Sequence, residues 1–120
     1  MTLRTIALLA ALVMAGPSLA HEAKGKHGGR VADAGDYHVE LVAKGDTVEV
    51  YVADHDDRPV TIRGYKGLAI ISVGGKSQRI VLEATEGGKL AGKATGNLPA
   101  EPKGVVQITP PGGKSVSAKF

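Results

Sequence analysis

The sequence contains no cysteine and no tryptophan, and its 120 residues include only three tyrosines and one phenylalanine. Without cysteine, the chain has no disulfide, no thiolate metal site and no thiol nucleophile. Because aromatic side chains are so few, the sequence predicts a core of valine, isoleucine and leucine. Both methionines, Met1 and Met14, lie in the first twenty residues. Any metal ligands in the rest of the chain would therefore be nitrogen and oxygen atoms, which favour divalent ions.

Residues 1–20 have the features of a secretory signal peptide. Arg4 precedes an apolar run at residues 6–14, and small residues lead up to Ala20. The run is shorter than the roughly 20 residues that a membrane-spanning helix needs. The sequence thus predicts cleavage after Ala20, a periplasmic protein that begins at His21, and no stable membrane insertion after cleavage.

Neither sign of charge dominates the sequence, which has 15 basic and 12 acidic side chains. The lysines and arginines are spread along the chain, without the clustered basic surface and stacking aromatic residues that nucleic-acid binding requires. The composition therefore excludes a nucleic-acid partner.

Two regions follow the predicted signal peptide. Residues 21–29 are rich in glycine, lysine and histidine and lack apolar periodicity, which predicts a flexible arm. Residues 30–120 contain short alternating apolar runs separated by Gly, Asp and Pro, which is typical of an all-β protein. We expect a small antiparallel β-sandwich or barrel of about seven to nine short strands.

The strongest hairpin signal joins residues 37–42 to residues 48–53 through Gly45-Asp46. Further strands are predicted at residues 60–63 and at residues 68–73, and the second of these is apolar enough to be buried on both faces.

The first candidate metal site lies at the predicted mature amino terminus. His21 would offer both its α-amine and its imidazole to one cation, a chelate similar to the histidine brace of some copper proteins. His27 or His55 could supply the third ligand. The alternative is that a histidine on a flexible arm has no such role.

The second candidate combines His27 with His38 and Glu40. His38 and Glu40 are two residues apart in a predicted strand, so they project from the same face. A site that includes His27 requires the chain to bend at the two glycines after it. The alternative is a solvated strand face on which Glu40 pairs with Arg30 or Lys44.

The third candidate is the acidic turn at residues 54–57, which carries His55. The turn lacks the glycine and terminal glutamate of a calcium loop, and aspartates are common in turns for conformational reasons. No nucleophile elbow or phosphate-binding glycine loop occurs in the sequence, so we predict that the protein is not an enzyme.

Four segments resemble a known family. They are HGGRV at residues 27–31, GDYHVELV at 35–42, VYVAD at 50–54 and RPV at 58–60. They are similar to small periplasmic proteins associated with heavy-metal efflux and to the metal-binding β domain of some metal-pump adaptor (membrane-fusion) subunits. The resemblance implies a β-sandwich-like domain that binds or passes copper or zinc, with His27, His38 and Glu40 at the matching positions. The helical hairpin and lipoyl-like segments of an adaptor are absent, which implies a free-standing module.

The sequence therefore leads to two hypotheses. The first is a periplasmic accessory protein that binds Cu(II) or Zn(II) through histidine and carboxylate ligands and is linked to an envelope metal-efflux complex. The second is a non-catalytic β-sandwich interaction module without a metal role, which docks on an envelope partner through a strand edge or the loop at residues 54–59.

Overall fold

The computed structural model describes residues 23–120, so the predicted signal peptide at residues 1–20 lies outside the described residues. In the described part the chain forms nine strands and no helix, and therefore contains no helix long and apolar enough to cross a membrane. The strands are β1 (Ala23–Lys24), β2 (Arg30–Ala34), β3 (Tyr37–Lys44), β4 (Thr47–Ala53), β5 (Lys66–Val73), β6 (Lys76–Ala84), β7 (Leu90–Lys93), β8 (Gly104–Thr109) and β9 (Val116–Lys119).

All nine strands belong to one antiparallel sheet in the order β1-β2-β3-β4-β7-β6-β5-β8-β9. The sheet curls so that β9 comes back against β2, which makes it a half-barrel. At this junction Gly35 lies beside Val116, and a Cβ atom at Gly35 would come 3.0 Å from the valine side chain. The predicted all-β fold is confirmed, and its curled sheet encloses the core.

The core is aliphatic, as the scarcity of aromatic residues predicts. In the β3–β4 hairpin, alternation places Val39 and Leu41 on the inner face, opposite Val52 and Val50. The two-residue turn at Gly45-Asp46 sets this register, and Gly45 has a φ of 60° that such a turn requires. The hairpin predicted from the sequence is therefore present with its predicted inner face.

The strand predicted at residues 60–63 is absent, and the strand predicted at residues 68–73 is present as part of β5 but with a different burial. Pro59 makes only an isolated bridge with Ala53, and the chain then crosses to β5. The Val60 amide donates to the Val52 carbonyl at 3.1 Å, and the pairing with β4 ends there. Ile62 is buried in the core along this crossing. Strand β5 is not buried on both faces, because Ile70 is 39% exposed on the outer face of the sheet.

Candidate functional site

The turn between β1 and β2 carries the first histidine of the described residues. The Gly28 amide donates to the Gly25 carbonyl (3.2 Å), and the Gly25 amide donates to the Gly29 carbonyl (2.8 Å). Gly28 has a φ of 81°, the left-handed conformation that completes this type of three-residue hairpin loop. The glycine-rich sequence around His27 therefore produces a tight turn.

The Glu40 carboxylate holds this turn against the outer face of the sheet. Its Oε2 accepts hydrogen bonds from the backbone amides of His27 and Gly29, each at 2.9 Å. Its Oε1 lies 2.8 Å from His27 Nδ1. Glu40 is consequently only 6% exposed, although alternation along β3 places it opposite the core.

The described part of the predicted arm comprises residues 23–29. It consists of β1 and an ordered turn, because a buried carboxylate needs donors and the backbone amides of the turn supply two of them. The turn fits closely over Glu40. A Cβ atom at Gly25 would come 2.1 Å from Glu40 Cδ, so only glycine allows this approach.

The His27 ring is also fixed by Tyr51 of β4. The two rings are stacked, with centroids 3.5 Å apart and an interplanar angle of 4°. Tyr51 is the cross-strand partner of Glu40, so the carboxylate and the aromatic ring that contact His27 stand side by side. Because a carboxylate oxygen accepts, this contact favours the neutral tautomer with the hydrogen on Nδ1, in which Nε2 carries the lone pair.

A second buried carboxylate, Glu49, lies on the other side of Tyr51. The Tyr51 hydroxyl donates to Glu49 Oε2 at 3.0 Å, and Lys89 Nζ lies 2.7 Å from the same oxygen. Lys44 Nζ lies 3.5 Å from Oε1. The hydrogen bond from Lys89 is the main reason that the pKa of Glu49 is lowered, against the opposing effect of burial.

His38 stands two residues before Glu40 on the same outer face of β3. Its Nδ1 lies 3.2 Å from Asp33 Oδ1 on β2 and 3.8 Å from Asp57 Oδ1 in the loop after β4. Asp33 is the cross-strand partner of His38. Asp57 reaches this position from a left-handed backbone conformation with a φ of 60°.

One cleft of about 380 Å³ contains His27, His38 and Glu40 in its lining. Ala23 and Lys24 of β1 and Asp57 of the loop after β4 also line it. His38 and Glu40, two residues apart in β3, are separated by about 6.6 Å along the strand.

His55 does not line this cleft. Its side chain is 73% exposed, and its Nε2 lies 3.4 Å from Asp56 Oδ2. In the same turn the Asp54 carboxylate accepts the amides of Asp56 and Arg58, at 2.9 and 3.0 Å. These hydrogen bonds, with that from Arg58 first, lower the pKa of Asp54. Asp54 thus has the conformational role that is common for aspartate in turns.

No known family model, curated protein or solved structure matches this chain. Among residues 23–120, no group of three or more His, Asp or Glu side chains is placed to hold a metal ion. The structure brings His27 and Glu40 into contact and puts His38 in the same cleft, whereas His21 lies outside the described residues. The contacts of Glu40 include His27 and the turn amides, whereas Lys44 lies 3.5 Å from Glu49.

Sequence reasoning missed Tyr51 and Asp33, and it grouped Asp57 with His55 in the acidic turn rather than with His38. The signal for Tyr51 was available: a two-residue turn at Gly45-Asp46 sets the register that places Tyr51 opposite Glu40. Asp57 carried no such signal, because its position depends on the conformation of an irregular loop.

Proposed function

We propose that this protein binds a divalent transition metal, Cu(II) or Zn(II), in the cleft between β1 and the loop after β4. One observation carries the proposal: both histidines of the cleft have Nδ1 next to a carboxylate, Glu40 for His27 and Asp33 for His38. A carboxylate on one ring nitrogen orients the imidazole and increases the basicity of the other nitrogen. Metal-binding histidines commonly have such a partner.

In this proposal Glu40 has a positioning role and His27 Nε2 is the ligand. The Glu40 carboxylate accepts hydrogen bonds from two amides of the turn and contacts the His27 ring. The stack on Tyr51 limits rotation of the ring, so less entropy is lost when a metal binds. Imidazole nitrogen is a favourable donor for copper and zinc.

The periplasmic location and the link to heavy-metal efflux are part of the same proposal. The predicted signal peptide and the resemblance to efflux-associated proteins support them. The absence of thioether ligands after residue 20 supports a divalent ion rather than copper(I).

Calorimetric titration of the exported protein with Cu(II) and Zn(II) tests metal binding. We expect one equivalent to bind with a Kd well below about 0.1 mM, and excess metal to raise the melting temperature. The variants His27→Ala and Glu40→Gln should each lower the affinity about 10-fold or more. The matched control is His55→Ala, which removes an exposed imidazole outside the cleft and should leave the affinity unchanged. Binding weaker than about 0.1 mM in the unaltered protein would overturn the proposal.

One observation favours the interaction module as a second candidate. Ile70 of β5 and Val81 of β6 are 39% and 66% exposed on the outer face of the sheet, away from the cleft. If this module is the function, a variant with all four histidines changed to alanine keeps its envelope partner, whereas Val81→Lys loses it. Co-purification of each variant from cells separates the two functions.

A further inference from the structure

The cleft that contains His27 and His38 has room for more than a metal ion. Its volume is about 380 Å³, whereas a water molecule in the liquid takes about 30 Å³. A divalent ion that keeps about four waters would therefore fill less than half of the cleft. Volumes above about 300 Å³ are typical of sites for small organic molecules. The cleft thus has the size of a site for a small organic ligand.

Part of the cleft surface is apolar. Val31 is the cross-strand partner of Glu40 in the β2–β3 ladder, and Ala53 is the partner of His38 in the β3–β4 ladder. Val31 and Ala53 are both partly exposed and line the cleft. Pro59, which forms a bridge with Ala53, extends this apolar surface. Because apolar surface is unfavourable in water, the lining favours a ligand that has an apolar part.

The lining of the cleft also contains charges of both signs. Lys24 and Lys26 line it with exposed side chains, and their ammonium groups favour a ligand that has a carboxylate. Asp57 lines it as well, with its Oδ1 3.8 Å from His38 Nδ1, and its carboxylate favours a cation close to this histidine. The charges therefore fit a metal ion that has a carboxylate ligand.

We propose that the cleft binds the metal ion together with a small organic chelator, an α-amino acid with an apolar side chain. Such a molecule combines a nitrogen and an oxygen donor for copper or zinc with a carboxylate and an apolar group. Its amino nitrogen and a carboxylate oxygen would coordinate the ion beside the histidine nitrogen. Its side chain would lie on Val31 and Ala53, and its carboxylate would face Lys24 and Lys26. The inference rests on the proposed metal-binding function and adds the class of ligand that enters with the metal.

Two amino-acid complexes of Cu(II) test the inference. L-leucine and glycine offer the ion the same amine and carboxylate, but only leucine has an apolar side chain. Calorimetric titration of the unaltered protein should show that the Cu(II)–leucine complex binds about 10-fold tighter than the Cu(II)–glycine complex, because the leucine side chain leaves water. Electron paramagnetic resonance with leucine isotopically labelled at its nitrogen should show that this nitrogen remains a ligand of the protein-bound ion.

Three variants test whether the cleft is responsible for the preference. Val31→Ser removes apolar surface from the lining, and Ala53→Phe places a ring in the space for the ligand side chain. Each should reduce the preference for the leucine complex to about 2-fold or less, while Cu(II) supplied alone still binds. If Ala53→Phe does not fold, the smaller change Val31→Ser still gives the result. The matched control is Val81→Ser, which removes a 66% exposed apolar side chain outside the cleft lining and should keep the preference.

The outcomes separate this inference from the proposed function. Equal affinity for the two complexes, or loss of the leucine nitrogen from the bound ion, overturns the role of the amino acid and leaves metal binding in the cleft intact. An unchanged preference in Val31→Ser and Ala53→Phe also overturns it, as does equally tight binding of leucine without Cu(II). Absence of binding when Cu(II) or Zn(II) is supplied alone overturns the proposed function itself.

Discussion

Glu40 and Glu49 are two carboxylates on neighbouring strands, each 6% exposed, and they are stabilised in different ways. The buried charge of Glu49 is stabilised by two lysine ammonium groups and a tyrosine hydroxyl, all at the ends of side chains. The buried charge of Glu40 is stabilised by two backbone amides and an imidazole, all from one turn. The first arrangement neutralises a charge, whereas the second also fixes the position of a chain segment.

The two clusters differ in the groups that they offer to a ligand. Lys89 and Lys44 satisfy Glu49 with ammonium groups, which are donors only and whose positive charge disfavours a second cation beside that carboxylate. At Glu40 the partner is an imidazole, which donates from one nitrogen and keeps a lone pair on the other. Tyr51 lies between the two, with its ring face on His27 and its hydroxyl on Glu49.

The largest expected effect comes from removal of the carboxylates. Glu40→Ala should lower the free energy of unfolding by about 3 kcal/mol, because two backbone amides and an imidazole lose their acceptor. Glu49→Ala should cost less, about 1.5 kcal/mol, because Lys44 and Lys89 can return to water on flexible side chains. Urea unfolding of both variants measures this difference. An equal or reversed order would contradict the view that Glu40 has the larger structural role.

A smaller effect is expected at the glycines of the turn. Gly25→Ala places a Cβ atom 2.1 Å from Glu40 Cδ, so the turn must move away from the carboxylate. We expect a loss of about 2 kcal/mol, within the range for overpacking, together with weaker metal binding. The matched control is Gly28→Ala, where nothing lies within 4 Å and only the φ of 81° is unfavourable. That variant should lose about 1 kcal/mol and keep its metal affinity, as calorimetry can verify.

The same pair of glutamates shows what the sequence could predict. Alternation around a recognisable turn predicted the β3–β4 hairpin and its inner face, because period and turn chemistry are local properties. The same alternation indicated that Glu40 points away from the core. It could not indicate that Glu40 is buried, because the covering turn belongs to a segment without any apolar pattern.

The wrong predictions about β5 and residues 60–63 have a similar origin. The apolar run of β5 predicted burial on both faces, but only the inner face of a curled single sheet is covered, which leaves Ile70 at the surface. Residues 60–63 have strand-like composition, yet the tertiary path uses them to cross from β4 to β5. Local patterns predict the elements better than they predict which surfaces the finished sheet covers.

Acid should affect the Glu49 cluster in a defined direction. The Lys89 hydrogen bond lowers the pKa of Glu49 below its ordinary value of 4.5. As the pH falls through that value, the unfolded chain takes up the proton first, so the stability contributed by Glu49 is lost at lower pH and is present above it. The free energy of unfolding should therefore fall less steeply between about pH 5 and about pH 3 in Glu49→Gln than in the unaltered protein. The same pH dependence of the free energy of unfolding in both proteins would contradict an ion pair between Glu49 and Lys89.

The smallest effect separates the two contacts of Tyr51. Tyr51→Phe removes the hydroxyl that donates to Glu49 and should cost about 1 kcal/mol, while the ring stays on His27 and the Cu(II) affinity stays the same. Tyr51→Leu removes the stacked ring as well, which should cost about another 1 kcal/mol and weaken Cu(II) binding, because the imidazole must then be ordered by the metal. Unfolding and Cu(II) titration of both variants distinguish the contacts. If Tyr51→Phe weakened metal binding as much as Tyr51→Leu, the hydroxyl contact with Glu49 would influence the cleft. Glu40 and Glu49 would then not act independently.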